Sequence, residues 1–392
     1  MSSKKLKPKK KPIVKGLREK KSNKIRIRVE PKELEMINNY RLLHNQAIDK
    51  GIDPKTVKHA WFKDEKSSMF VKNPNFDEGG LTLEKIKESL NTVFNDIDFD
   101  KPKIKLPKKS NNKAIKVTIA DSHVGMNPSK NSLFQYEYNG KVYKDSLGKV
   151  FDSMLKEYNT HGVFDVSFLD DLGDMADGWN GYTTRGGHQL EQNMSNVEVF
   201  ETCVQEKFNL VKSIIESKIA KKVVLRSVCN DNHSGDFGHV INLTIQMLLN
   251  KVYSDSVVEI DLLTRFIEHR SYGKHTFLLT HGKDAKFMNR GLPVILNDKA
   301  INFINDYIDH YGINNDFIHV EKGDLHQIGY QRTKKFDYRN FMSFAPPSAW
   351  IQHNFADSYS GYSIQVIPKE SNEISHTDYF INYKKIKNEK NN

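Results

Sequence analysis

The 392-residue chain is poor in cysteine and has no long apolar run or internal repeat, and each shortage excludes something. Two cysteines, Cys203 and Cys229, are too few for a disulfide framework or a zinc-thiolate site. They leave a reducing, cytoplasmic compartment as the default expectation. No stretch approaches the roughly 20 apolar residues that span a bilayer, so no membrane role is expected. The basic N-terminus has no apolar run behind it and does not read as a secretory signal. A hydrophobic content of 38% is enough to build a core. The length suits one large domain and an appendage.

Charge is unevenly spread. Residues 1–30 hold thirteen Lys or Arg against Glu19 and Glu30, a net of +11, and the whole chain is also +11. The basic character therefore belongs to a tail, and everything after residue 30 sums to zero. Such a tail, low in apolar residues and interrupted by prolines, reads as disordered and as a nonspecific partner for anionic polymers, nucleic acid first.

Four segments are expected: the tail (1–30), a small helical region (31–100), a basic linker (101–113) and a catalytic domain (114–385). In the helical region, Leu34, Ile37, Leu42 and Leu43 predict a helix from Pro31. Asp53-Pro54 has the form of an N-cap and first turn opening a second helix toward Trp61. A third helix is expected over 82–95. Two helices around Gly51 would make either a helix-turn-helix or a docking element.

From residue 114 the pattern turns regular. Strands are expected at Ile115–Ala120, Val163–Leu169, Val223–Val228, Thr276–Thr280 and Phe317–Val320. Between them lie helices at Leu147–Tyr158, around Val197–Ile215, at Phe237–Val252 and at Ala300–Tyr311. The alternation predicts a largely parallel sheet covered on both faces. Tyr362–Ile367 and Tyr379–Asn382 read as strands completing an edge.

Chemistry-bearing residues follow one strand after another: Asp121-Ser122-His123, Asp170-Asp171-Leu172-Gly173-Asp174, Asn230-Asp231-Asn232-His233, His281-Gly282 and Gly323-Asp324-Leu325-His326. Singly, each is a common turn or cap. In open α/β sheets, however, ligands bind outside the carboxyl ends of the strands, so five loops converge on one rim. Asp, His and Asn together suit divalent cations of intermediate hardness.

This order resembles the calcineurin-like metallophosphoesterase superfamily, whose blocks run D-x-H, G-D-x-x-D/E, G-N-H-D/E, H and G-H-x-H. Gly173-Asp174-Met175-Ala176-Asp177 fits the second block fully. The resemblance covers about residues 114–330 and implies a β-sandwich flanked by helices, with two divalent metals about 3.5–4 Å apart. It implies that Asp121, His123 and His326 hold one metal, Asn232 and His281 the other, and Asp174 both. His233 would be the proton donor to the leaving group, worth roughly 10²–10⁴-fold. Two departures stand out. Asp231 replaces the Gly before Asn-His, placing a Cβ in a tight turn. Asp324 replaces the first His of the last block, giving the second metal a carboxylate or leaving it a ligand short. An oxygen-rich set favours Mn²⁺ or Mg²⁺ over Zn²⁺, and Mn²⁺ is the expected ion, with Mg²⁺, Fe²⁺ and Zn²⁺ as alternatives. Gly51-Ile52-Asp53-Pro54 with Trp61 is similar to bacteriophage-encoded members.

Between the second and third blocks, Arg185 and His188 are candidates for phosphate contacts, and Trp179 or Tyr182 for base stacking. The same residues equally suit a solvated loop. The expected function is a metal-dependent phosphoester hydrolase, a phosphodiesterase or nuclease. The alternatives are a protein or small-molecule phosphatase, or a binding protein on a degenerate site.

Overall fold

The structure is a computed structural model that describes residues 31–52, 59–63, 68–73, 104–128, 132–284, 291–355 and 358–386, with isolated residues at 54, 57, 88 and 91. The tail over 1–30 and nearly all of the helix expected over 82–95 lie outside the described residues. The chain divides into two units, Met1–Gly80 and Leu81–Asn392.

In the first unit the helix α1 (Pro31–Asp49) buries Leu43 and Ala47. The second helix expected toward Trp61 is instead a hairpin of β1 (His59–Lys63) and β2 (Ser68–Lys72), antiparallel with Trp61 opposite Phe70. Two causes outweigh the Asp53-Pro54 cap signal. The Trp61 and Phe70 rings meet across the strands at 5.1 Å, a pairing that a pleated surface rewards. The Asn73 side-chain amide also donates to the carbonyls of Pro54 and Val57, both at 2.9 Å, and the Pro54 carbonyl accepts from the Val57 N–H at 3.3 Å in a 3₁₀ turn. A second helix running to Trp61 is incompatible with its place in β1, while residues 53, 55, 56 and 58, where it would begin, lie outside the described residues.

The second unit has four layers. One sheet has the order β13-β12-β3-β4-β5-β6, with β3 (Lys113–Ile119), β4 (Phe164–Asp171), β5 (Ala220–Val228) and β6 (Val258–Leu263) parallel. Next to β3, β12 (Gly361–Pro368) runs antiparallel, and β13 (Ser375–Phe380) forms the edge. The second sheet has the order β10-β11-β9-β8-β7. Its β8 (His275–Thr280), β9 (Phe317–Lys322) and β11 (Asp337–Asn340) are parallel, while β7 (Glu268–Tyr272) and β10 (Gly329–Arg332) are antiparallel edges. The two sheets form the helix-flanked sandwich that the resemblance implied, where the alternation of strands and helices alone suggested a single covered sheet. The strands that complete the second sheet, such as His-Arg-Ser in β7, carry no apolar alternation that would announce them.

Helices α2 (Gly140–His161), α3 (Asn196–Glu216) and α4 (Gly235–Val252) cover the outer face of the first sheet. Val204, Val211 and Ile215 on α3 meet Val117, Leu169 and Leu225 beneath them in one core. Ser195 and Glu198 form a reciprocal capping box that starts α3. Helix α5 (Asp298–His310) covers the second sheet through Ala300, Ile304 and Ile308. Ile104 and Leu106 pack on the first core, so the end of the expected linker belongs to the folded body. The short α6 (Ala349–Asn354) precedes β12.

Between the sheets, Phe168, Val224, Phe277 and Phe341 enclose charged residues as well as apolar ones. Lys116 Nζ lies 2.5 Å from Glu321 and 3.4 Å from Asp170. Arg226 grips both Asp170 oxygens at 2.6 Å and stacks on Phe168 at 4.2 Å. Two cations and two carboxylates, all buried, thus pair off inside the sandwich.

Candidate metal centre

The loops after β3, β4, β5, β8 and β9 converge at one end of the sandwich, as the strand-end rule requires. Eight described non-glycine residues have positive φ, and five are expected ligands: Asp121, His123, Asp174, Asp324 and His326. Left-handed backbone at such residues costs of order 1–3 kcal/mol each and persists only where its surroundings enforce it. Main-chain bonds do so here. The Asp121 N–H donates to the Gly173 carbonyl at 3.0 Å and the His123 N–H to that of Asp174 at 2.8 Å. At Gly173 (φ +99°) a Cβ would lie 3.1 Å from the Asp231 Cβ and 3.0 Å from the His281 ring, so glycine is required.

Three donor groups, each with its ligand atoms within 4.8 Å of one another, result: Asp121–His123–His326, His123–Asp174–His233 and Asp121–Asp174–His281. His123 and His326 aim their Nε2 atoms at each other across 3.1 Å. The two nitrogens can share a hydrogen bond, donor and acceptor set by the tautomer, or both turn lone pairs to a cation between them. His281 Nε2 lies 3.1 Å from Asp174 Oδ2 and 3.0 Å from Asn232 Oδ1. Asp174 Oδ2 also lies 3.9 Å from His123 Nε2, between the two halves of the site.

The rings are oriented from behind. His281 Nδ1 lies 2.8 Å from the Leu172 carbonyl and, as a donor there, leaves Nε2 facing the site. His123 Nδ1 lies 3.0 Å from Asp177 Oδ1, and His233 Nδ1 lies 3.3 Å from the same oxygen. Asp177 is the orienting residue that a search for ligands alone passes over. Its signal in the sequence is the last carboxylate of Gly173-Asp174-Met175-Ala176-Asp177.

Electrostatics agree with a site built for cations. Burial raises the Asp121 carboxyl to about 7, with Asp174 and Asp324 adding to the effect against His281 and His123. Asp231 is likewise raised to about 7 by burial and by Asp174. Burial also works against charge on Asp174, but His281 and His233 outweigh it and hold the carboxyl well below its usual range. Burial opposes the proton on His281 and on His233, yet Asp174 dominates, raising them to about 10 and about 9. His326, buried and facing His123, is held well below the ordinary imidazole range. Buried carboxylates and protonated histidines here stand where divalent cations and their ligands fit, and the donor set of Asp, His and Asn suits such ions.

The two departures resolve differently. Asp231 adopts no positive φ. Its carboxylate accepts from the N–H groups of Ser234 at 2.7 Å and Gly235 at 3.0 Å, capping the start of α4. The tight turn tolerates the Cβ because the side chain is used as a cap. Asp324 belongs to none of the three donor groups among the described residues. Its N–H donates to Asp121, and its Oδ2 lies 3.9 Å from the buried Lys322 Nζ.

The loop after Asp177 is pinned to the site. Thr184 and Arg185 donate their N–H groups to the carbonyls of His233 and Asn232 at 3.1 and 2.9 Å. Arg185 Nη1 is bonded to Asp284 Oδ1 at 3.1 Å. His188 is exposed, with its carbonyl accepting from the Thr183 N–H at 2.9 Å. Trp179 packs edge-on against Phe237 at 4.8 Å, whereas Tyr182 is half exposed.

No protein-family model matches the sequence, and no curated protein does. Solved structures similar to this chain include Vps29 from Entamoeba histolytica complexed with zinc, at 11% identity and TM-score 0.29, covering 68% of this chain and 99% of that one. A novel archaeal phosphodiesterase matches at 8% identity and TM-score 0.31, with 68% and 99% covered. A predicted phosphoesterase from Streptococcus pneumoniae TIGR4 matches at 11% identity and TM-score 0.24, with 68% and 98% covered. At such low identity and TM-score, the site has to be judged by its own geometry.

Proposed function

We propose that this protein is a metal-dependent phosphodiesterase acting on nucleic acid, with two divalent cations, Mn²⁺ foremost, held at the strand-end rim. The observation that carries the reading is Asp174, a buried carboxylate shared by two donor groups, its Oδ2 lying 3.9 Å from His123 Nε2 and 3.1 Å from His281 Nε2. In this reading Asp121, His123 and His326 hold one cation and Asn232 and His281 the other, with Asp174 between them. Such ions, when bound, polarise a phosphoryl group and supply a nucleophile near neutral pH. The chain's own contribution is orientation and proton transfer. Asp177 fixes His123 and lies against His233, whose proton Asp174 and Asp177 stabilise. A protonated His233 beside the site is suited to give its proton to a departing alkoxide. Asp324 contributes its N–H to Asp121 and is a weaker ligand candidate than the others. Arg185 would meet a phosphate with its Nη1 tied to Asp284.

Nucleic acid as substrate rests on the tail, which carries the chain's entire net charge. The test is metal content followed by turnover of bis-p-nitrophenyl phosphate, single-stranded and duplex DNA, RNA and a phosphoprotein with Mn²⁺. Hydrolysis of the chromogenic diester and a nucleic acid, with the phosphoprotein untouched, is expected; the reverse pattern makes it a phosphatase. Removing residues 1–30 should flatten the salt dependence of DNA binding, since each phosphate contact contributes about 0.9 to the log–log slope.

A further inference from the structure

A run of exposed rings begins beside the metal rim. Ser358 Oγ lies 3.4 Å from the His326 carbonyl, so Tyr359 stands one residue from the backbone of an expected ligand. The Tyr359 and Phe380 rings lie 5.1 Å apart and are 58% and 54% exposed. From Phe380 the chain continues to Lys384, whose carbonyl accepts the Glu137 N–H at 2.9 Å, placing residues 134–137 alongside. There Phe134, 54% exposed, lies under Lys385 Nζ at 4.7 Å. The backbone N–H and carbonyl of Phe134 are both bonded to the Gln352 side chain of α6, on which Trp350 is 59% exposed and meets Phe355 at 5.8 Å.

Four large rings more than half exposed are costly to leave in water unless something covers them. Their form indicates what does. The rings come as separate pairs with polar groups and two isolated exposed aliphatic residues, Leu133 and Ile386, among them, and a cation lies over one. Among the described residues of these segments Glu137 is the one carboxylate, and Lys384 pairs with it at 3.1 Å while Lys385 is left on the ring. Spaced aromatic faces with interleaved positive charge are what unstacked bases and their phosphates require. A continuous aliphatic surface would instead suit a protein helix.

We infer that the strip Tyr359–Phe380–Phe134–Trp350 is a stacking platform for single-stranded nucleic acid leading to the metal centre. This rests on the phosphodiesterase reading for its purpose but not for its test. Duplex bases are already stacked and offer the rings no face, so the platform discriminates single strands from duplexes.

The test is fluorescence anisotropy of the full chain with labelled oligothymidylate and a duplex of equal length, in EDTA so that no turnover intervenes. Trp350→Ala and Tyr359→Ala should each weaken single-strand binding by roughly fivefold to a hundredfold, the range for loss of one base–ring stack. Duplex binding should barely move. Trp350→Phe and Tyr359→Phe, which keep a ring, should restore most of the affinity, and unchanged melting temperatures establish that the folds are intact. Unaltered single-strand binding in both Ala variants overturns the platform. So does equal loss in the Phe and Ala variants, or loss of self-association without loss of binding, which would make the strip an interface between copies. Wild-type turnover of bis-p-nitrophenyl phosphate reports separately on the metal centre: its absence sinks the phosphodiesterase reading and leaves the binding result to judge the strip.

Discussion

Two of the charge clusters that the second unit buries are built on opposite plans. Inside the sandwich, Lys116 and Arg226 meet Asp170 and Glu321 in equal number, under Phe168, Phe277 and Phe341. At the rim, Asp121, Asp174, Asp177 and Asp231 are just as buried, yet among the described residues no lysine or arginine pairs with them. Their neighbours include histidines, of which His123 and His326 sit on left-handed backbone and His123, His233 and His281 are oriented by second partners. A buried charge without a counterion costs several kcal/mol, so the first cluster is complete as folded and the second is complete only with added positive charge. Protons on His281 and His233 supply some of it, and metal cations would supply the rest. The first plan fixes the two sheets together, while the second is what a bound cation would complete.

The largest expected separation comes from substituting one carboxylate in each cluster. Asp174→Asn should lower turnover of a diester by roughly 10³-fold or more, equivalent to about 4 kcal/mol of barrier, and abolish the rise in melting temperature on adding Mn²⁺. Asp170→Asn should do the reverse. It leaves the Arg226 guanidinium uncompensated between the sheets and should destabilise the fold by about 3–5 kcal/mol in urea titration. If both variants lose stability equally and neither loses metal-induced stabilisation, the two clusters serve the same end and the rim is structural.

A smaller effect sharpens the view that rim histidines are oriented from behind. Asp177→Asn keeps the shape but weakens the hold on His123 and the charge beside His233. Substituting such partners costs about 10–100-fold in metal affinity or activity, and turnover with saturating Mn²⁺ separates the two losses. Near wild-type behaviour in both would reduce Asp177 to a turn residue.

Protons and metals should compete at the rim alone. Burial works against the proton of His281, but Asp174 and Asp121 outweigh it and keep the ring protonated to about pH 10 in the metal-free protein. A metal ligand must be neutral, so the cation has to displace that proton. Affinity should therefore rise with pH between about 6 and 9, with about one proton released per bound ion at this ring. Calorimetry in buffers of different ionisation enthalpy counts the protons. Binding that releases none would place His281 outside the ligand set.

The rim was legible in the sequence because it is assembled from strand ends, each carrying its residues within two or three positions. Asp121-Ser122-His123 and Gly173-Asp174 can be read locally, and right-handed crossovers bring them together. The sandwich cluster was not legible. Lys116 and Arg226 interrupt otherwise apolar strands, and nothing local says that a carboxylate on another strand answers them. The hairpin at His59–Lys72 was missed for a related reason, since a cap signal at Asp53-Pro54 is local whereas the pairing of Trp61 with Phe70 is not. Asp231 was read from its backbone slot alone, and its role as a cap for α4 appears only once Ser234 and Gly235 are placed.

The smallest expected effect concerns Asp324, where the resemblance and the geometry pull apart. By position in the last block it should be a ligand of the second cation. In the structure its carboxylate leans toward Lys322 Nζ and joins no donor group among the described residues, while its N–H holds Asp121. Because the N–H contact survives any side-chain change, Asp324→Ala should alter turnover by only a few-fold, well short of the roughly 10³-fold loss expected for a bridging carboxylate. Asp324→His places there the residue that the resemblance expects and adds a nitrogen to an oxygen-rich set, which favours softer ions. The ratio of Zn²⁺- to Mn²⁺-supported turnover should then rise. A large loss in the Ala variant would show that Asp324 swings from Lys322 onto the metal when the site fills. An unchanged ratio in the His variant would show that position 324 lies beyond the reach of either ion, leaving Asn232, His281 and Asp174 to hold the second cation without it.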